Sequence, residues 1–233
     1  TLFDAAGDTG GQFNLARRIP GKEEFAETLR YFRQRLVETG VDVRLSTPVA
    51  AGDLAGFDAV VLATGVVPRR VDFPGHDHPK VVGYVDVIEG RVVPGGRVAI
   101  IGAGGIGFDV GEFLVERPGA SPSLDTAAWM HEWGIDPSFE RPGGLVPAAP
   151  ASPLRTVWLL QRSPGRPGAR LGKTTGWIHR STLKAKGVTM LGGVEYLGVD
   201  DEGLHIRVDG AEQLLDVDHV VVCAGQEPRR DLH

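Results

Sequence analysis

The residues best placed to do chemistry are three glycines, Gly102, Gly104 and Gly107, in the stretch VAIIGAGGIGFDVGEFL at 98–114. Their G-x-G-x-x-G spacing falls between an apolar run that reads as a strand and a segment that reads as the start of a helix. A turn of this kind binds pyrophosphate. The first glycine makes the tight turn, the second lets the backbone approach the phosphates, and the third lets the helix pack close to the strand. The helix N-terminus then faces the anion. The flanking strand and helix give the motif its weight, since the glycines alone are common. Gly102, Ala103, Gly104, Gly105, Ile106 and Gly107 are therefore candidate dinucleotide contacts.

The next strand of such a unit normally ends in an acid that holds the adenosine ribose. Here TVWLLQR (156–162) ends in Gln161 and Arg162. With the acid absent and a cation following, a 2′-phosphate is the favoured partner, hence NADP rather than NAD. Arg166, Arg170 and Lys173 in the loop 163–176 could extend the basic patch or simply be solvated. The distance from Gly102 is about 60 residues against the usual ~20, and a Pro/Gly-rich insertion at 117–154 accounts for the excess.

Asp4 closes a strand at 1–4 and is followed by the glycine-rich GDTGGQFN. It is a candidate ribose-binding acid of a second dinucleotide unit. The segment DAVVLATGVVPRR (58–70) echoes DHVVVCAGQEPRR (218–230), as two related nucleotide-binding domains would if each ended on the same strand and turn. Weaker candidates read as structural: His179 behind the basic loop, His76 and His78 with no third metal ligand, Trp129 and Trp133 in the insertion, and Cys223 in an apolar strand. No Ser/His/Asp set or convincing carboxylate pair appears, so no catalytic acid, base or metal site is assigned.

The elements that must position these residues follow from periodicity. A helix is expected over 22–39, with Phe25, Leu29, Phe32 and Leu36 on one buried face. Strands are expected at 41–47 and 57–65, then a short helix before the strand 97–102. The helix after the glycine turn, the insertion and the strand 156–162 follow. A helix from 177, a strand VTML, an antiparallel meander and an apolar strand at 219–223 complete the series. Near-continuous apolar runs suit a parallel sheet covered on both faces, so the fold class is α/β with two Rossmann-like dinucleotide-binding domains. The divisions expected are 1–70 for a partial domain, 71–225 for the domain carrying the glycine motif, and 226–233 for the start of a return to the first.

The 233 residues are 42% hydrophobic and 24% charged, with a net charge of −5, the composition of a globular protein. That balance offers nothing to nucleic acid or an anionic membrane. No apolar run reaches the ~18 residues of a membrane helix, no signal peptide is evident, and one cysteine excludes an internal disulfide. The expectation is cytoplasmic. Thr1 lies inside an apparent strand and the chain stops just after another, so a piece of a longer protein is expected.

The stretches IPGKEEF, GKTTGWIHR and CAGQEPRR, together with TLFDA, GGQFN, LATGVVPR, EWGID and LLQR, closely resemble the C-terminal half of bacterial NADPH-dependent 2,4-dienoyl-CoA reductases. That family lies within the group of old yellow enzyme and trimethylamine dehydrogenase. The resemblance spans essentially the whole chain. It implies an N-terminal barrel with FMN and a 4Fe-4S cluster, followed by an FAD domain with an NADPH domain inserted in it. The mid-chain place of the glycine motif is explained if it belongs to the inserted domain. The resemblance also implies FAD contacts at Asp4, Gly11, Gln12, Lys22 and Val49 and at the Ala63-Thr64-Gly65 turn. It implies NADPH contacts at 102–107, Arg162 and Ser163, and places Ala224, Gly225 and Gln226 near the nicotinamide–flavin interface. The activity implied is reduction of a dienoyl-CoA thioester in unsaturated fatty acid β-oxidation, with the substrate bound in the barrel. Arg170 departs from the family pattern, which often has Gly or Gln there. Two alternatives remain: another enzyme of the group with a different substrate, and a non-redox scaffold holding ADP.

Overall fold

The structure is a computed structural model that describes residues 1–119 and 121–232. Ala120, in the expected insertion, and His233, in the expected return segment, lie outside the described residues. In chain order the elements are β1 (Leu2–Phe3), α1 (Phe13–Ala16), α2 (Phe25–Glu38), β2 (Val43–Arg44), β3 (Val66–Pro68), β4 (Val81–Gly83) and α3 (Tyr84–Glu89). Then come β5 (Arg97–Ile101), α4 (Gly105–Val115), α5 (Thr126–Trp133), β6 (Thr156–Leu160), α6 (Gly176–Ala185) and β7 (Thr189–Leu191). Last are β8 (Glu195–Val199), β9 (Leu204–Val208), β10 (Ala211–Leu215), β11 (His219–Val222) and β12 (Gln226–Pro228). The chain divides into two compact units. One gathers residues 1–18, 22–67 and the segment from Gln226 onward; the other holds 19–21 and 68–225.

The larger unit is an α/β domain with helices on one face of a parallel sheet and an antiparallel meander on the other. Its five parallel strands run in the order β4-β11-β5-β6-β7. Val98, Ala99, Ile100, Val220 and Val221 are wholly buried, as strands covered on both faces require. On one face α4 packs through Phe108, Val110 and Leu114, with Leu183 of α6 seated against Gly111. On the other, the antiparallel meander β8-β9-β10 contributes Leu204 and Ile206 to a core shared with Ala99, Ile101 and Leu160. Its opposite face carries Arg207 between Glu195 and Glu212, at 2.6 and 2.5 Å.

The stretch expected as an insertion is fastened to this domain. Asp125 caps α5 by accepting from the Ala128 amide at 3.0 Å. Glu132 of α5 and Glu116, just past α4, both reach Lys186 at the end of α6, at 2.5 and 2.8 Å. The Lys186 side chain is 2% exposed. Burial works against its charge, but the two carboxylates outweigh that and hold the ammonium above its ordinary pKa.

The smaller unit is spare. β1 pairs in parallel with β2 alone, two residues each, and α2 lies beside them. Two expectations fail here. Of the four residues expected on the buried face of α2, only Leu29 is buried; Phe25 and Leu36 are half-buried and Phe32 is 58% exposed. A two-stranded sheet covers only part of an amphipathic face. The strand expected at 57–65 does not form: residues 59–65 join no ladder and Val61 is 90% exposed. A parallel strand takes its hydrogen bonds from neighbouring strands, and this unit offers none beside that run. Just beyond it, β3 pairs with β12, so the ends of the two echoed sequences form one short ladder. Among the described residues no helix is long and apolar enough to cross a membrane.

The buried ion cluster makes the first prediction. Lys186→Met should strand two carboxylates and cost about 3 kcal/mol in urea unfolding, since removing one partner of a buried pair leaves uncompensated charge. An unchanged unfolding midpoint would mean that the cluster adds nothing to stability.

Candidate functional site

The site forms at the C-terminal ends of β5 and β11. From β5 the chain proceeds outward through β6 and β7, then returns to lay β11 on the opposite flank. This reversal of strand order is where open α/β sheets have a ligand crevice. The Cys223 amide donates to the Ile101 carbonyl at 2.8 Å and the Gly102 amide to the Leu160 carbonyl at 2.8 Å, which fixes the turn at the sheet's edge.

The glycines of the turn answer to different demands. Gly102 has φ +111°, and a Cβ there would collide with the Cys223 carbonyl. Gly107 is buried, and a Cβ there would collide with the Gly102 carbonyl. Both are required by the protein's own backbone. Gly104 and Gly105 are exposed, and no protein atom lies within 4 Å of a Cβ built at either. Gly104 has φ −86°, open to any residue, so the fold gives no reason for glycine there. The space left open lies before the first turn of α4. The Gly105, Ile106 and Gly107 amides precede the first bond into that helix, from Phe108 to the Gly104 carbonyl at 3.1 Å. Unsatisfied amides at the positive end of an 11-residue helix suit an anion, and the open space suits a backbone-close pyrophosphate. Ala103 is half-buried between the two constrained glycines.

Arg162 and Ser163 follow β6 and are exposed. Among the described residues no ion pair engages Arg162, Arg166, Arg170 or Lys173. Arg162 lies near Tyr196 of β8: burial pushes the Tyr196 phenol well above its usual range, and the guanidinium partly opposes this. The sequence carried no signal for Tyr196, which meets Arg162 only through the meander. Ala224 and Gly225 follow β11 and are half-buried, and the Gly225 carbonyl accepts from the Arg69 amide at 3.0 Å. Burial, with Asp109 adding to it, pushes the Cys223 thiol far up, so it packs as a neutral group.

In the smaller unit Asp4 follows β1, and its Oδ1 accepts from the Ala6 amide at 2.9 Å. Gln12 accepts from the Gln226 side chain at 3.2 Å. The Thr64 hydroxyl donates to the Arg229 carbonyl at 3.0 Å, and the Arg229 amide to the Gly65 carbonyl at 3.0 Å. The Ala63-Thr64-Gly65 turn is thus held against the end of β12. Gly11 has nothing within 4 Å of a Cβ; Lys22 and Val49 are half-buried.

The remaining candidates have structural roles. His179 lies 2.8 Å from Glu112, tying α6 to α4. His76 meets the Phe73 carbonyl, whereas His78 meets Asp201. Trp129 and Trp133 pack on one another, ring centroids 6.2 Å apart. Asp200, Glu202 and His205 gather closely, but Asp200 is engaged within its own turn by two amides and by His205.

The two kinds of glycine should separate on substitution. Gly104→Ala should keep stability within about 1 kcal/mol, the range of an N-cap change, yet weaken dinucleotide binding. Gly107→Ala should lower the melting temperature sharply with or without ligand. Thermal melts beside calorimetric titration with NADPH distinguish them; equal effects of both would remove the distinction.

A pyridine nucleotide-disulphide oxidoreductase family model matches residues 30–233. A metal reductase of Desulforamulus reducens is 24% identical over 241 residues, covering all of this chain and 35% of that protein. An N,N-dimethylglycine/sarcosine dehydrogenase of Chromohalobacter salexigens is 30% identical over 247 residues, covering all of this chain and 30% of that protein. The chain thus spans about a third of the length of these relatives. A solved 2-naphthoyl-CoA reductase superposes with a TM-score of 0.75 at 21% identity, over 97% of this chain and 29% of that one. Histamine dehydrogenase from a Rhizobium species does so with 0.67 at 16%, over 97% and 32%. These two likenesses are of fold. The match over 30–233, on a parallel α/β sheet with a glycine turn at its switch point, places the chain in the pyridine nucleotide-disulphide oxidoreductase family, whose Rossmann-like domains bind FAD and NAD(P).

Proposed function

We propose that the chain is the FAD- and NADPH-binding part of a flavoprotein reductase of the 2,4-dienoyl-CoA reductase type. The observation that carries the nucleotide choice is the end of β6, where Gln161 and Arg162, which no ion pair among the described residues engages, stand in place of the ribose-binding acid. A 2′-phosphate supplies the charge Arg162 lacks; a ribose diol does not. The Gly104–Gly105 opening and the Gly105, Ile106 and Gly107 amides fit the pyrophosphate. Asp4, Gly11, Gln12, Lys22, Val49, the 63–65 turn and Gln226 are the residues assigned to FAD. Ala224 and Gly225 are assigned to the nicotinamide end.

When bound, NADPH supplies a hydride and FAD accepts it. The residues named here orient the two cofactors and neutralise phosphate charge; in cofactor enzymes that is the protein's share of the work. Passage of electrons through a 4Fe-4S cluster to FMN, and on to a dienoyl-CoA thioester in unsaturated fatty acid β-oxidation, belongs to a barrel outside these residues. Support for the substrate class comes from the IPGKEEF, GKTTGWIHR and CAGQEPRR stretches and from the 2-naphthoyl-CoA reductase likeness in fold. A second reading, a reductase or dehydrogenase of the same family with another substrate, is favoured by the names of the two relatives above. The single cysteine, Cys223, supplies no redox disulfide within these residues.

Calorimetric titration with NADPH and NADH tests the nucleotide choice. NADPH should bind more tightly, and Arg162→Ala should remove about ten- to hundredfold of its affinity, the worth of a charge-assisted contact at roughly 1.5–3 kcal/mol. Equal binding of the two nucleotides, unmoved by the substitution, would leave an NAD-linked relative or an ADP scaffold as the better reading.

A further inference from the structure

Gln161 stands where an acid would reach a ribose, but its side chain is turned back. Nε2 donates to the Ser163 carbonyl at 3.0 Å and to the Gly165 carbonyl at 3.3 Å. The same loop is gripped from the far side. The Gly193 amide donates to the Ser163 carbonyl at 2.9 Å. Gly192 lies so close to the Gly165 carbonyl that a Cβ would collide with it, and the same Cβ would lie 3.4 Å from Gln161 Nε2. The backbone of Gln161 is pinned as well: its amide donates to Leu191 O and its carbonyl accepts from Val194 N–H, each at 3.0 Å. The short loop carrying Arg162 and Ser163 is thus held between a side-chain amide and two glycines.

We propose that Gln161 is a specificity-determining positioning residue, fixing the loop so that Arg162 and Ser163 meet the 2′-phosphate of NADPH. This rests on the NADPH reading above. The chemistry at position 161 is restrictive because both partners are carbonyl oxygens, so the side chain must donate. A methionine fills a similar volume and donates nothing. A carboxylate would face two carbonyl oxygens, turn outward, accept from the ribose hydroxyls of NADH and repel a 2′-phosphate. An amide here therefore does two things: it holds the loop and leaves the phosphate pocket without a negative charge.

The test is calorimetric titration of the full chain with NADPH and NADH, for the unaltered protein, Gln161→Met and Gln161→Glu, with nucleotide-free melting temperatures alongside. Gln161→Met should lose about tenfold in NADPH affinity, near 1.4 kcal/mol, while NADH affinity stays level. Gln161→Glu should lose more for NADPH and gain for NADH. Gly192→Ala, which pushes the loop from its other side, should reproduce the Gln161→Met pattern and serves if that variant fails to fold. An unchanged NADPH-to-NADH ratio in Gln161→Met, or equal weakening of both nucleotides, would overturn the proposal by leaving Gln161 a merely structural role. The unaltered protein reports separately on the reading beneath: without an NADPH preference there, that reading falls and takes this one with it.

Discussion

Two backbone contacts govern the architecture around the turn. Gly102 lies against the Cys223 carbonyl, and Gly107 against the carbonyl of Gly102 itself. Neither neighbour is a flexible side chain, so nothing short of shifting a strand or a helix could make room for a methyl group. The first contact sets how closely β5 and β11 end together, and the second sets how closely α4 approaches the strand that precedes it. Through α4 the constraint reaches Leu159 beneath Gly107 and Leu183 beside Gly111, and so the packing of β6 and α6. The first amides of α4 are presented at the sheet's switch point because these contacts leave the helix nowhere else to start.

Much of this was legible from residue types. Four of the five parallel strands, β5, β6, β7 and β11, show as apolar runs, whereas the three-residue β4 was not legible; the meander shows in the alternation of Leu204 and Ile206 with His205 and Arg207. The glycine motif pointed to its own turn. Where the reading failed, the cause was context. DAVVL has the composition of a buried strand, but a strand is defined by a partner, and the smaller unit offers it none. Phe32 has helical spacing, yet burial depends on what covers the helix. The electrostatic influence of Arg162 on Tyr196 and the return of Gln161 onto its own loop depend on how β8 and the 163–165 loop fold over the end of β6. No spacing in the sequence encodes either.

Charge is distributed with a purpose that the total conceals. The chain is net negative, at −5, while the loop after β6 concentrates Arg162, Arg166, Arg170 and Lys173 with no ion-pairing carboxylate among the described residues. Several cations elsewhere are tied down: Arg207 between two glutamates, Lys186 between two more, Arg97 against Asp216 and Asp218. Unpaired cations on an acidic body focus an anionic ligand toward one edge, and that edge also carries the helix amides. A nucleotide with an additional phosphate gains from both.

The extended run after Asp58 has a bearing on how the polypeptide behaves in solution. Val60, Val61 and Leu62 present apolar side chains to solvent, and residues 59–65 leave their backbone groups outside any ladder. An open apolar segment of this sort is a template for edge-to-edge association. Asp58 flanks it on one side and the Arg69-Arg70 pair on the other, opposite charges that attract when two copies lie antiparallel, and less so as salt screens them. The run ends in the Ala63-Thr64-Gly65 turn proposed above for FAD, so cofactor binding and self-association would compete for one stretch.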